Sequence, residues 1–148
     1  MKLSYKLNDS YNQNAIVKHN DDSFGSSGVY FDFQVALSSN RSLILNFDMY
    51  SKKCVSCEGY LLIDNKTKYE DIIIENYQNG ELLIELKNFE KEIPMHEYLL
   101  NGKIRYSINK SRICMGNINS NEVIRFGMGQ YASFQNGKLV GIIIDLKQ

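Results

Sequence analysis

The sequence predicts an all-β fold, mainly antiparallel, arranged as a β-sandwich or a small β-barrel with at most one short helix. Short runs rich in Ile, Val, Tyr and Phe recur along the 148 residues, separated by Asn, Asp, Gly and Ser, which is the punctuation of an all-β chain. Several runs alternate apolar and polar residues with period two, the strand period rather than the helical one. Asn-Gly occurs at Asn79-Gly80, Asn101-Gly102 and Asn136-Gly137. Both residues accept the positive φ that a tight hairpin needs, so the first and last are hairpin signals.

The elements follow in chain order. Residues 3–8 and 13–18 read as the opening strands. Val29–Leu37 is the clearest strand, with Phe31, Phe33, Val35 and Leu37 facing one way and Tyr30, Asp32, Gln34 and Ala36 the other. Ser42–Tyr50 repeats the pattern, setting Leu43, Leu45, Phe47 and Met49 against Ile44, Asn46 and Asp48. Strands are also predicted over 58–64, 69–77, 81–87, 102–108, 121–128, 130–134 and 138–146. The one helical candidate is 94–100, opening with the sole proline, Pro94, at a position suited to a first helical residue. Phe126-Gly127-Met128-Gly129-Gln130-Tyr131 places two glycines inside a strand-like run, which predicts a bulge or sharp bend. Nothing repeats at a fixed period, and no linker-like stretch divides residues 1–148, so a single globular β domain is expected.

Composition bounds the function. Apolar residues make up 43% and charged residues 23%, the balance of a soluble globular chain. With 17 Lys+Arg against 17 Asp+Glu the net charge is zero, which argues against a nucleic-acid binder. No apolar run approaches the roughly 20 residues needed to span a bilayer, and Met1–Asp9 has no signal-like apolar stretch, so no membrane role is expected. Three cysteines is an odd number for a disulfide framework. A reduced, cytoplasmic protein is the expectation.

The hairpin around Asn79-Gly80 is the most informative local feature. A two-residue loop would mix apolar and charged side chains on both faces. A three-residue loop, Gln78-Asn79-Gly80, instead gathers Ile72, Ile74, Leu82, Ile84 and Leu86 on one face, and burial of one face fixes register. The opposite face then presents Tyr69, Asp71, Ile73, Glu75, Tyr77, Glu81, Leu83, Glu85 and Lys87. Tyrosines beside aliphatic residues are what interfaces enrich, and carboxylates steer a basic partner. Charge is also divided along the chain. Residues 61–100 hold four basic and nine acidic residues, a net of −5, and residues 101–148 hold seven basic and two acidic, a net of +5.

Reaction chemistry is sparse. Cys54-Val55-Ser56-Cys57 is a C-x-x-C that Cys114 and His96 would have to complete as a zinc site, and a redox dithiol would need a following helix N-terminus. A Gly-Tyr-Leu-Leu-Ile strand follows instead, so the cysteines are placed in a strand-connecting loop, with no metal, cofactor or catalytic residue assigned. The expected function is that of a non-enzymatic intracellular protein binding and blocking a basic protein partner, as a bacterial immunity protein neutralises a nuclease toxin. The partner-binding residues would be Tyr69, Asp71, Ile73, Glu75, Tyr77, Glu81, Leu83 and Glu85. The alternative is a small-ligand-binding, lipocalin-like β-barrel whose interior is lined by Phe31, Phe33, Phe47 and Phe126.

Overall fold

The computed structural model describes residues 2–8, 17–26, 28–38, 40–86, 95–97, 100 and 102–146. These form fourteen strands: β1 (Lys2–Leu7), β2 (Lys18–His19), β3 (Ser23–Gly25), β4 (Phe33–Ala36), β5 (Leu43–Asp48), β6 (Lys53–Tyr60), β7 (Tyr69–Glu70), β8 (Gln78–Glu85), β9 (Met95–Glu97), β10 (Arg105–Ser107), β11 (Arg112–Gly116), β12 (Glu122–Gly127), β13 (Gln130–Gln135) and β14 (Lys138–Asp145). No helix occurs among the described residues, and so none long and apolar enough to cross a membrane. The strands are mostly antiparallel and form an open, sandwich-like arrangement, not a closed barrel.

One half of the sheet runs β8-β6-β5-β4-β9 and the other β7-β10-β11-β14-β13-β12. Strand β8 joins them. Its first residues, Gln78 and Asn79, lie parallel to Ile124 and Arg125 of β12, while Leu83 pairs with Lys53 of β6. Along its other edge β1 pairs from Leu7↔Gly80 to Lys2↔Glu85. A strand bordering two sheets in this way makes the corner of a sandwich.

Alternation then decides the layers. In the first half Phe33, Val35, Leu45, Phe47, Leu82 and Ile84 point into the main core; from the second come Ile113, Met115, Ile124, Phe126, Phe134, Ile142 and Ile144. Their side chains fill the interior, and Phe33, Phe47, Phe126 and Phe134 are among the largest fully buried ones. The lipocalin-like alternative therefore loses its premise: the sheet does not close, and three of the four aromatics proposed to line a lumen are packed core. The intervening residues of the second half, Cys114, Val123, Tyr131 and Ile143, form a smaller cluster on its outer face with Ile72.

Several elements depart from expectation. Gln78-Asn79-Gly80 is no loop but the start of β8, and residues 71–77 pair with no strand. The predicted hairpin does not exist, and the apolar set assigned to it divides. Leu82, Ile84 and Leu86 join the main core, while Ile72 and Ile74 join the outer cluster. Residues 95–97 form β9, parallel to β4, in place of the predicted helix. Pro94 and residues 98–99 lie outside the described residues, as do 13–16 of the second predicted strand, Asn101 and Lys87. Strand β11 was unforeseen. The Asn136-Gly137 hairpin is present as expected: both residues have positive φ and Gln135 pairs with Lys138. The glycine-rich run 126–131 also behaves as predicted, with a register shift between Arg125 and Gly127.

One local repeat escaped the sequence reading. Ser38-Ser39-Asn40-Arg41-Ser42 and Ser107-Ile108-Asn109-Lys110-Ser111 share one pattern. In both turns the first serine's hydroxyl donates 2.7 Å to the asparagine Oδ1, and both groups accept the last serine's N–H at 3.1 Å. Arg41 and Lys110 both take positive φ. Strands β4–β5 and β10–β11 are joined by these equivalent turns, and each first strand also carries a parallel neighbour, β9 or β7.

Candidate functional site

Residues 71–77 leave β7 at one edge of the second half and cross its outer face to reach β8 beside β12. Between Glu70 and Gln78 lie six strand-to-strand steps, about 29 Å at ~4.8 Å each. Eight residue steps span at most about 26–29 Å, so this segment is a taut strap. It runs across the strands instead of along them, and it makes no backbone-to-backbone hydrogen bond with another described residue.

Side chains hold it down. Ile72 is buried among Cys114, Val123, Tyr131 and Ile143, with Ile74 packed beside it. At the entry, Arg105 Nε pairs with Glu70 at 3.0 Å while its Nη2 donates to the Gly116 carbonyl. Arg112 pairs with Asp145 and donates from Nη1 to the Ile72 carbonyl at 3.1 Å. At the exit, Tyr77 meets Tyr131 edge-on, centroids 5.4 Å apart, and lies under Arg125 at 5.1 Å. The acidic and basic blocks thus partly meet here.

With Ile72 and Ile74 turned inward, Asp71, Ile73 and Glu75 face outward and are exposed. Ile73 is 65% exposed and Ile108, on the nearby turn, 63%. A groove of about 610 Å³ lies on one side of the strap, bounded by Asp71, Ile73, Ile108, Asn109, Arg112 and Asp145. On the other side, a groove of about 420 Å³ separates it from the 118–121 loop and has Val123 and Ile143 in its lining. The strap is the ridge between them.

Of the eight proposed partner-binding residues, Tyr69, Asp71, Ile73, Glu75 and Tyr77 stay on the strap or at its edge. Glu81, Leu83 and Glu85 do not join them, because they sit on β8, where it pairs with β1 and β6. Glu81 is engaged inside the protein, accepting from Lys53 at 2.8 Å and Asn8 at 3.0 Å. Leu83 is half-buried, and Glu85 is exposed opposite Lys2. A single acidic face joining all eight is thereby excluded. Sequence reasoning missed Ile108, Arg112, Asp145 and the 118–121 loop. The repeated turn carried a usable signal, since an isoleucine stands in its second place where the first copy has Ser39.

The cysteines are also placed differently. Cys54 and Cys57 lie within β6, not in a loop, and a bulge opposite Asn46 and Phe47 brings both into the main core. Hydrogen bonding with Cys54, together with burial, holds the Cys57 thiol well above its ordinary range. Cys114 belongs to the outer cluster, on the opposite face of its sheet from the main core, so the two cysteine groups do not converge. Among the described residues no group of three or more His, Cys, Asp or Glu is arranged to hold a metal ion. Burial pushes the Cys114 thiol up to about 11, against the pull of the Arg105 guanidinium.

That shift fixes the sign of a pH effect. Below pH ~8.5 the thiol is protonated folded and unfolded alike, and the stabilisation is complete. As pH rises toward 11 the unfolded chain ionises first, so stability falls. Urea unfolding of wild type and Cys114→Ala at pH 8 and pH 10 is expected to show a steeper alkaline loss in wild type; equal losses would refute the assignment.

No protein-family model, curated protein or solved structure matches this chain.

Proposed function

We propose that the protein is a non-enzymatic binding protein that docks a basic protein partner on the outer face of the second half-sheet, with the strap as its contact ridge. The observation carrying this reading is the strap itself, where an exposed isoleucine stands between two exposed carboxylates with a half-exposed tyrosine at the end. Aliphatic and aromatic contact supplies affinity, and carboxylates around it accelerate encounter with a cationic surface. Neutralising a nuclease toxin, as a bacterial immunity protein does, is the specific form this takes, because a nuclease presents a surface that binds phosphates, whose negative charge carboxylates mimic. A reducing, cytoplasmic setting belongs to this reading and accords with three buried free thiols.

Charge reversal tests it. Asp71→Lys with Glu75→Lys alters only exposed groups, so the melting temperature should move by no more than about 2 °C. Association with a basic protein recovered stoichiometrically from the native host should slow about tenfold or more at low salt. Unchanged association would remove the strap as the docking site.

A further inference from the structure

The strap's backbone specifies the form of the partner. We infer that the partner contributes an extended segment of alternating basic and apolar residues, which adds as a strand alongside residues 71–75 in the groove between the strap and the 118–121 loop. This rests on the reading that the strap docks a basic partner.

In an extended segment with alternate side chains turned in and out, N–H and C=O groups point sideways, to opposite sides at successive residues. The Ile72 carbonyl is taken by Arg112, which borders the larger groove. The main-chain groups of Asp71, Ile73 and Glu75 therefore face the smaller groove, where no described residue hydrogen-bonds to them. A row of free donors and acceptors along an extended chain is what strand addition uses. Side chains of an added strand would also alternate. Those turned down would meet Val123 and Ile143 on the groove's apolar lining, and those turned up would lie beside Asp71, Ile73 and Glu75. Cross-strand neighbours about 5 Å apart favour opposite charges, which selects Lys or Arg at the upward positions and an aliphatic residue between them.

The probe is the acetylated, amidated peptide Lys-Val-Lys-Val-Lys-Val-Lys, labelled for fluorescence anisotropy and titrated with the full-length chain. Two further peptides carry N-methyl groups either on every lysine amide or on every valine amide. Only one of those sets faces the strap in an added strand. One methylated peptide is expected to lose ~10-fold or more in affinity, through several lost hydrogen bonds, while the other stays within about threefold of the parent. Equal binding by all three would overturn strand addition and leave docking of basic partners standing. Equal loss by both methylated peptides, or no binding by the parent, would also overturn strand addition. A Glu-for-Lys peptide binding as well as the parent would overturn the basic-partner reading itself.

Discussion

Gly59→Ala is expected to cost about 3 kcal/mol or more, a large part of the ~5–15 kcal/mol that holds a domain together. Gly59 sits in β6, where β3 closes on it through Phe24 and β5 through Leu43. A Cβ there would stand 2.0 Å from the Ser42 carbonyl oxygen and 2.7 Å from the Phe24 ring. The ring has some freedom to tilt. The carbonyl has little, because it accepts the Tyr60 N–H at 3.0 Å. Relief therefore requires parting two strands at a point where three meet. Gly137→Ala is the matched control: its φ of 75° carries a left-handed penalty of about 1–2 kcal/mol, but nothing lies within 4 Å of the added Cβ. Urea denaturation of both variants checks the contrast. If Gly59→Ala proves no more costly than Gly137→Ala, the close approach of β3 and β5 is misplaced.

Phe134→Ala is expected to cost about 3–5 kcal/mol, the usual loss for emptying a buried phenylalanine site. Phe134 on β13 is fully buried in the main core, and its ring lies 4.7 Å from that of Tyr5 on β1. Tyr5 in turn donates its hydroxyl to Glu122 of β12 at 3.1 Å. The ring thus ties β1, which borders β8, to the second half of the sheet. Its removal leaves a cavity where the two halves meet and frees Tyr5 from its packing partner. Phe134→Leu keeps most of the volume and should recover more than half of the loss. Thermal and urea unfolding read both variants, and a Phe134→Ala cost below about 1 kcal/mol would place this ring outside the shared core.

Much of the architecture was readable because one-sided burial writes period two into the sequence. Phe33 and Val35 against Gln34, and Leu43, Leu45 and Phe47 against Asn46, fall as the alternation predicts, although β4 is shorter than Val29–Leu37. Asn136-Gly137 was readable from two residues alone. Strand β11 was invisible for the opposite reason. Ile113, Cys114 and Met115 are all buried because both faces of the second half are covered, and a strand covered on both faces shows no alternation.

The candidate site was half readable. Alternation assigned Ile72 and Ile74 inward and Asp71, Ile73 and Glu75 outward, as found. Which surface received the inward residues was beyond it, since period two names a face and no partner. Asn79-Gly80 then misled. Gly80 lies inside β8 because β1 passes so near that a Cβ would stand 2.8 Å from the Lys6 carbonyl oxygen. Glycine chosen for close approach and glycine chosen for a turn look identical in a sequence.

The strap also sets what can change in this stretch of chain. A connection already near full stretch cannot give up a residue without dragging β8 away from β12, or β7 away from β10. An added residue would lift Ile72 or Ile74 from its seat, because inward and outward places exchange at every step. Variation between 71 and 77 is thereby confined to exchanging side chains at fixed length, and the outward places 71, 73 and 75 are where such exchange costs the fold least and alters the outer surface most.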